Sequence, residues 1–325
     1  MKENKAYRFK TPGQEQIVLL ITVVVFFFFA FMVDGFTSLG NLSILVKNIS
    51  VIGILGLGMA IVLVGGGIDL AQVTGMLITS AFVLQHLHWG IPVAILLGLL
   101  IAIVIGLING FLVAFVEIPA IFATLATSMV VMGVGRTWLV ESRVALFPKE
   151  YESLQFIGQG RLWGIPMPIV IFAGFALITH IFLSKTMYGR FVYAQGDNLG
   201  TSRLTGIAVR PLTILQYILC SCIAYVAAMV QASTTGLVQV RSSDLVYNVI
   251  LVVVLGGVSL IGGRGSVKSV IVGALLVGTL LNGMVLMNVQ SDVQNIIRCV
   301  VLLIAILLDN RLHPRDEESA RQGDI

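Results

Sequence analysis

The sequence predicts an all-α polytopic membrane protein with about ten transmembrane helices. Hydrophobic residues make up 57% of the 325 residues, and charged residues only 11%, against about 25% in soluble domains. The mean hydropathy is +1.00. Apolar runs of about 20 residues recur along the whole chain, which is the length a helix needs to cross a bilayer. These runs are continuous, whereas the strands of a membrane barrel alternate apolar and polar residues.

The apolar runs follow one another with short connections and no extended linker or low-complexity tract. We therefore expect one transmembrane domain over residues 1–325. The predicted segments are 17–33, 44–64, 70–87, 91–116, 120–140, 166–184, 212–236, 245–262, 267–288 and 292–309.

Charge placement predicts the orientation. With an even number of spans both termini lie on one side, and thirteen of the 20 Lys and Arg residues then fall on that side. The positive-inside rule makes it the cytoplasm. The basic segment Ser184–Pro211 is then cytoplasmic and Glu141–Ile165 is an external loop. We expect the first apolar segment to be retained as a helix, because Phe26–Phe29 offers no small-residue cleavage site for a signal peptidase.

Residue types that support catalysis or metal binding form no recognisable pattern. The three cysteines lie inside apolar runs, where they are expected to pack as small side chains without a disulfide. The spacing of Cys220 and Cys222 is not that of a zinc site. The four histidines form no ligand pattern. We therefore expect no metal site and no enzyme activity, and no basic, aromatic-rich patch suggests binding of nucleic acid.

The energy source is predicted to lie on another polypeptide. Gly262–Ser269 approaches a phosphate-binding loop, but Val267 replaces the glycine before Lys268 and no strand precedes the segment. An ion-driven carrier more often holds acidic residues deep in its helices. Here the acidic residues lie at or near segment ends, with Asp69 as the exception to examine.

Three motifs carry a resemblance to a known family. Gly65–Leu70 (GGGIDL) resembles a motif of the ribose-type permeases, which are membrane subunits of monosaccharide ABC importers. Thr186–Asn198, followed by Ser202–Ile207, resembles their ATPase-coupling segment. Val253–Ser266 is similar to their glycine-rich run. The resemblance covers nearly the whole chain in order.

This resemblance implies the fold and partners of a type II ABC importer permease in a bacterial inner membrane. It implies a second permease subunit, identical or homologous, a cytoplasmic ABC ATPase that carries ATP and Mg, and a periplasmic or lipid-anchored sugar-binding protein. The chain itself needs no cofactor, and lipid surrounds it. The implied substrate is a pentose such as ribose or xylose, a hexose or a sugar alcohol. The chain departs from the family after Asn198 and at Asp244–Ile250, so the sugar stays open.

The coupling residues implied by the resemblance lie in the basic segment. Asn198 is expected to cap a short helix at Leu199–Leu204 that presents Arg203 to an acidic ATPase groove. Anchoring by the positive-inside rule is the alternative for Arg190 and Arg203. The full set is Gly189, Arg190, Gly196, Asn198, Arg203, Leu204 and Gly206.

Uncharged polar residues inside the apolar segments are candidates for the translocation path, since hydroxyl and amide groups exchange hydrogen bonds with a polyol. Hydrogen bonding between helices is the alternative. Asp69 either lines the path or caps the next helix. Arg298 lies about 16 Å from the inner end of its segment, and Asp69, Asp292 and a backbone carbonyl are its candidate partners. The set is Asn48, Asp69, Thr74, Asn109, Thr124, Thr127, Ser128, Asn248, Asn282, Asn295 and Arg298.

Two other functions remain open at the level of sequence. One is an ion-gradient-driven secondary sugar carrier, which would take up sugar without ATP. The other is a membrane scaffold that transports nothing.

Overall fold

The computed structural model describes residues 14–148, 150–241 and 244–312. Seven positive charges used in the orientation argument lie outside these residues: Lys2, Lys5, Arg8, Lys10, Lys149, Arg315 and Arg321. The α-helices of the described residues are α1 Gln14–Met32, α2 Leu39–Val64, α3 Gln72–Gln85, α4 Ile91–Ala114, α5 Ala120–Val134, α6 Glu152–Gln159, α7 Met167–Lys185, α8 Met187–Asp197, α9 Leu199–Leu204, α10 Val209–Thr235, α11 Leu245–Gly256, α12 Val267–Leu286 and α13 Ser291–Leu312.

Each of the ten predicted apolar segments coincides with a helix, but the helices differ in length. Within the described residues, seven helices are long and apolar enough to cross a membrane: α1, α2, α4, α5 with the π-helical turn Gly135–Leu139, α7, α10 and α12. Helices α3 and α11 are apolar but have only 14 and 12 residues, about 21 and 18 Å at 1.5 Å per residue. Neither spans the hydrocarbon core alone, so ten crossings stay a prediction.

Helix α2 lies at the centre of the helical packing. It contacts α7, α10, α11 and α12, and nearly all of its residues from Ile49 to Val64 are buried. Glycines at positions 53, 56 and 58 allow the neighbouring side chains and backbone to approach closely. Helix α10 also packs against α4 and α3.

Polar residues start the helices that matter for the site. The side-chain oxygen of Thr186 accepts a hydrogen bond from Gly189 N at 3.0 Å at the start of α8. Asn198 Oδ1 accepts one from Thr201 N at 2.8 Å at the start of α9. Each cap satisfies an amide that has no partner inside the helix. The prediction of a short helix at Leu199–Leu204 capped by Asn198 is confirmed.

Short strands depart from the all-α prediction. Strand β1 (Val144–Leu146) pairs antiparallel with β4 (Leu237–Gln239), and β2 (Arg161–Leu162) pairs with β3 (Ile165–Pro166). Strands of two or three residues are too short to show an alternating pattern in the sequence, and β1, β2 and β4 lie outside the apolar runs. β1–β3 and α6 belong to the predicted external loop, and β4 connects that loop to the end of α10.

The three sequence motifs meet at one point in space. Gly263 N donates a hydrogen bond to the carbonyl oxygen of Val64 at 2.8 Å. Gly196 of α8 lies against the same carbonyl, and a Cβ at position 196 would overlap it. Gly66 and Gly262 reach this point with φ of +86° and +103°, a conformation that favours glycine. The segments after α2, at the end of α8 and after α11 are therefore packed backbone to backbone.

We predict that Gly196→Ala destabilises the protein. The helical φ of Gly196 accepts alanine, but the added Cβ forces the Val64 carbonyl and Gly263 amide apart, an overpacking cost of about 1–3 kcal/mol. The melting temperature of the purified protein in detergent should fall. Gly200→Ala in α9 is the matched control, because its nearest contact is Asn198 Oδ1 at 3.4 Å. Equal melting temperatures for the two variants would contradict the packing argument.

Candidate translocation cavity and coupling surface

A cavity of about 590 Å³ lies between α3, α5 and α11. Apolar side chains from all three helices form most of its wall. Its polar groups come from Thr74, Ser128, Arg136, Asp244 and Tyr247. This volume falls in the range of small-molecule binding sites, about 300–1,000 Å³. Such sites are mostly apolar, with a few polar groups that orient the ligand.

Two hydroxyl groups form a hydrogen bond in the wall of this cavity. Thr74 Oγ1 of α3 and Ser128 Oγ of α5 lie 2.9 Å apart. Each hydroxyl has one donor and two acceptor positions, so the pair keeps hydrogen-bonding capacity for a bound molecule. At one end of the cavity, Arg136 donates from Nε and Nη2 to the carbonyl oxygen of Val240 at 3.1 and 2.7 Å. This contact fixes the chain that leads into α11.

Arg298 is connected to the cavity through amide groups. Its Nη1 donates to Asn295 Oδ1 and its Nη2 to Gln294 Oε1, both at 3.0 Å. Asn295 Nδ2 in turn donates to Asp244 Oδ2 at 3.3 Å. The sequence argument offered Asp69, Asp292 or a backbone carbonyl as partner of Arg298, and all three are wrong. The amides lie three and four residues earlier on the same helix, which is the spacing at which helical side chains meet.

Asp69 is fully buried and does not line the large cavity. Its Oδ1 accepts hydrogen bonds from Ala71 N at 3.0 Å and from Asn109 Nδ2 at 3.2 Å. This contact closes a turn just before α3, whose N-cap residue is Ala71 and has no side-chain cap, so both the path role and the capping role of Asp69 stay predictions. Thr124 Oγ1 donates to Ala120 O at 2.8 Å and approaches Ile68 O at 3.4 Å. These polar groups bind one another across α3, α4 and α5.

The remaining path candidates lie elsewhere. Asn48, Asn248 and Asn282 line a second cavity of about 220 Å³ between α2, α11 and α12. Asn282 exchanges two hydrogen bonds with Asn41, at 2.9 and 3.0 Å. Asn248 Oδ1 is buried without a hydrogen-bond partner among the described residues. Thr127 is buried in α5 outside both cavities. The predicted path set is thus divided: some members line one of two cavities, Asp69, Asn109 and Thr124 lie in a buried polar region, Asn295 and Arg298 lie beside Asp244, and Thr127 is in none of these places.

The predicted coupling residues lie on α8, on α9 and in the turn after α9, some exposed and some packed against the bundle; we call the exposed part the α8–α9 surface. Arg190 is exposed, and Leu204 is 90% exposed at the end of α9. Gly206 follows with φ of +82°. On the inner side, Gly189 lies against the Phe182 and Leu183 carbonyls. The outer side of this surface is therefore free within the described chain, while the inner side is fixed to the bundle.

Side chains that the sequence argument missed attach α8 to the bundle. Gln195 Nε2 donates to Gly65 O and to Thr213 Oγ1, both at 3.1 Å, and Gln216 Nε2 donates to Gln195 Oε1 at 3.2 Å. Tyr193 OH donates to Gly265 O at 2.7 Å. Burial raises the pKa of Tyr193 above its ordinary value, so the phenol keeps the proton that it donates. A single glutamine or tyrosine carries no sequence signal for such a role.

Glu117 connects α9 to the start of α5. It lies in the loop between α4 and α5, with φ of +60°. Its Oε1 is 3.7 Å from Arg203 Nη2 and 3.3 Å from Arg210 Nη2. More than half of each side chain is exposed to solvent, so these ion pairs contribute about 0–1 kcal/mol each. Arg203 is therefore held loosely, and a partner outside the chain can still reach it.

Comparison with known proteins identifies the family. The family described as "Branched-chain amino acid transport system / permease component" matches residues 41–306. The ribose import permease RbsC of Escherichia coli strain K12 is 31% identical over 311 residues, covering 94% of this chain and 97% of RbsC. The chain belongs to the ribose-type permease family of ABC importers. It is a multi-pass protein of the bacterial inner membrane.

Other relatives of this permease carry related names. RbsC of Bacillus subtilis strain 168 is 32% identical over 274 residues, covering 83% of this chain and 85% of the relative. The autoinducer 2 import system permease LsrC of Escherichia coli strain K12 / DH10B is 28% identical over 321 residues, covering 97% and 92%. No solved structure matches the permease. Members of this family are transport subunits and not themselves enzymes.

We predict that the large cavity is reached by water in the assembled permease. Ser128→Cys should react with a charged methanethiosulfonate reagent about tenfold faster than Thr127→Cys, because reaction needs a hydrated thiolate. Residue 128 lines the cavity, whereas residue 127 is 5% exposed. Both variants are made with Cys222 and Cys299 replaced by alanine, and mass spectrometry follows the labelling. Faster labelling of Thr127→Cys would mean that the wrong face of α5 had been assigned to the cavity.

Proposed function

We propose that this permease forms the translocation path of an ATP-driven, binding-protein-dependent ABC importer for a monosaccharide or related polyol. The observation that carries the proposal is the connection between the α8–α9 surface and the large cavity. α8 is bound through Gln195 and Gly196 to the Gly65–Gly67 segment, and that segment leads directly into α3, which lines the cavity. The names of the relatives, ribose and autoinducer 2 import permeases, support the substrate class.

In this proposal, the permease converts movement of its ATPase partner into opening of the cavity to one side of the membrane or the other. A cytoplasmic ABC ATPase, which carries ATP and Mg, binds the outer side of α8 and α9 and moves them when its two copies close. Because α8 is fixed to the bundle at Val64 and Gly65, its displacement moves the start of α3. A second permease subunit, identical or homologous, completes the path, and an external sugar-binding protein supplies the substrate. Only differential binding of the ATPase to two conformations can drive this change.

The polar groups of the large cavity fit a neutral polyol. Thr74 and Ser128 offer hydroxyl groups that both donate and accept, and Asp244 offers an acceptor. Tyr247 is 52% exposed and presents an aromatic ring and a phenol to the same space. The apolar remainder of the wall suits the C–H faces of a sugar ring. We infer a small sugar or sugar alcohol, without choosing among pentoses, hexoses and polyols.

We predict that uptake depends on ATP and not on an ion gradient. Proteoliposomes containing the permease with its co-purified ATPase, and ATP on the ATPase side, should accumulate labelled ribose or xylose when the binding protein is added. An ionophore should leave uptake unchanged, and an ATPase variant without its P-loop lysine should abolish it. Uptake that stops with the ionophore and survives the ATPase variant would establish the secondary-carrier alternative.

We predict that Arg203→Glu lowers recovery of the ATPase about tenfold, equivalent to about 1.4 kcal/mol, because the charge reversal repels an acidic groove. Co-purification from native membranes measures the loss. Lys185→Glu, the same charge change at the exposed end of α7, is the matched control and should retain the ATPase. The double variant Arg203→Glu with Glu117→Arg tests the source of the effect. Restoration by the double variant would show that Arg203 acts through Glu117 and not through the ATPase.

A further inference from the structure

The hairpin before α7 holds a tryptophan in an unusual backbone conformation. β2 and β3 are joined by Trp163 and Gly164, with φ of +50° and +85°. Two positive φ values define the tight turn that matches strand twist, and Asn-Gly is its preferred sequence. Glycine suits this conformation, but a bulky residue with positive φ is an outlier. Backbone outliers of this kind cluster at functional positions of proteins.

Trp163 is not held at the tip of the hairpin by packing against the rest of the described chain. Trp163 is 93% exposed, and its neighbours Leu162 and Ile165 are 37% and 48% exposed. No heavy atom lies within 4 Å of a Cβ built at Gly164, so the tip of the hairpin stands in open space. The three apolar side chains therefore face an environment outside the described chain.

The hairpin is fixed to the end of a membrane helix. Met167 N, the first residue of α7, donates a hydrogen bond to Gly160 O at 2.9 Å, just before β2. Three residues separate Trp163 from Met167, so the indole lies near the level at which α7 enters the bilayer. Farther along α7, Leu177 and Ile178 are each 60% exposed, as expected of a surface that faces lipid.

The other two tryptophans of the chain lie at the same end of the bundle. Trp89 follows α3 and is 50% exposed, and Trp138 lies in the π-helical turn after α5 and is 77% exposed. Gln85 joins the two places, because its side chain bonds the backbone of Glu141 at 2.7 Å and of Ser142 at 2.8 Å. Tryptophan is enriched at membrane–water interfaces, where its ring lies at headgroup level.

We propose that the hairpin Arg161–Pro166 is an interfacial anchor that holds Trp163 in the phospholipid headgroup layer beside α7. The exposed Arg161 supplies a cation for a lipid phosphate, while Leu162, Trp163 and Ile165 bury apolar surface at the boundary of the acyl chains. The anchor fixes the depth of α7, whose other end continues at Thr186 into α8. It does not depend on the proposed transport function.

Fluorescence of Trp163 in a bilayer tests the anchor. The variant Trp89→Phe with Trp138→Phe leaves Trp163 as the single tryptophan, and it is reconstituted in phosphatidylcholine–phosphatidylglycerol nanodiscs. We expect emission at shorter wavelength than that of a tryptophan in water. Quenching should be strongest by lipids labelled near the headgroup and weaker by lipids labelled at the chain ends. The matched control places a single tryptophan at Leu204, 90% exposed on α9, in a chain whose native tryptophans are phenylalanine. It should emit as in water and respond to iodide only.

A second measurement tests the anchor without the Trp89→Phe and Trp138→Phe substitutions. Trp163→Phe in the otherwise native chain should remove a blue-shifted, lipid-quenched component from the spectrum. The proposal is overturned if Trp163 emits as in water and is quenched by iodide but not by labelled lipid. It is also overturned if the blue shift appears only after addition of the sugar-binding protein, which would assign the hairpin to a protein partner.

Discussion

The carbonyl oxygen of Val64 accepts a hydrogen bond from Gly263 N while Gly196 packs against the same group. α2 ends at Val64, whereas Gly263 lies seven residues beyond the end of α11 at Gly256. Buried backbone groups that are freed where a helix ends need hydrogen-bond partners. The Gly65 carbonyl is bonded by Gln195, and the Ile68 carbonyl by Tyr217 OH at 3.2 Å. Side chains of α8 and α10, together with the Gly263 amide, thus satisfy carbonyl groups at the end of α2 and in the irregular segment that joins α2 to α3.

The same constraint positions the coupling surface. A side chain at position 196 would separate α8 from the bundle, so the close approach fixes the inner side of α8. Arg190 of α8 and Leu204 of α9 remain exposed. An element that transmits movement needs a rigid contact with the bundle and an exposed side that a partner can bind. The loose ion pairs of Glu117 do not provide that rigidity, because solvent-exposed pairs contribute little.

Much of the fold can be predicted from the sequence, because the length of an apolar run and the position of a glycine act on the local backbone. The ten apolar runs coincide with helices, and Asn198 caps α9 as its side chain predicts. Helix α11 ends at Gly256 and not at residue 262, because Gly257 turns with φ of +103°. The partners of Arg298 were missed since amides on the same helix compete with distant carboxylates at no cost in chain entropy. Asp244 and Tyr247 join the site only through the packing of α11 beside α3 and α5.

The predicted path residues differ in how many of their hydrogen-bonding positions are already occupied inside the protein. Asn282 exchanges two hydrogen bonds with Asn41, so a sugar that bound Asn282 would first break a buried hydrogen bond, at about 1–3 kcal/mol for the group left unpaired. Asn109 donates to Asp69, but its Oδ1 has no hydrogen-bond partner among the described residues. Within the described part of the chain, the hydroxyl groups of Thr74 and Ser128 bond each other in the cavity wall and keep unused donor and acceptor positions. A passing polyol can exchange hydrogen bonds with such a pair at low cost, which is the condition for a path that binds its substrate and also releases it.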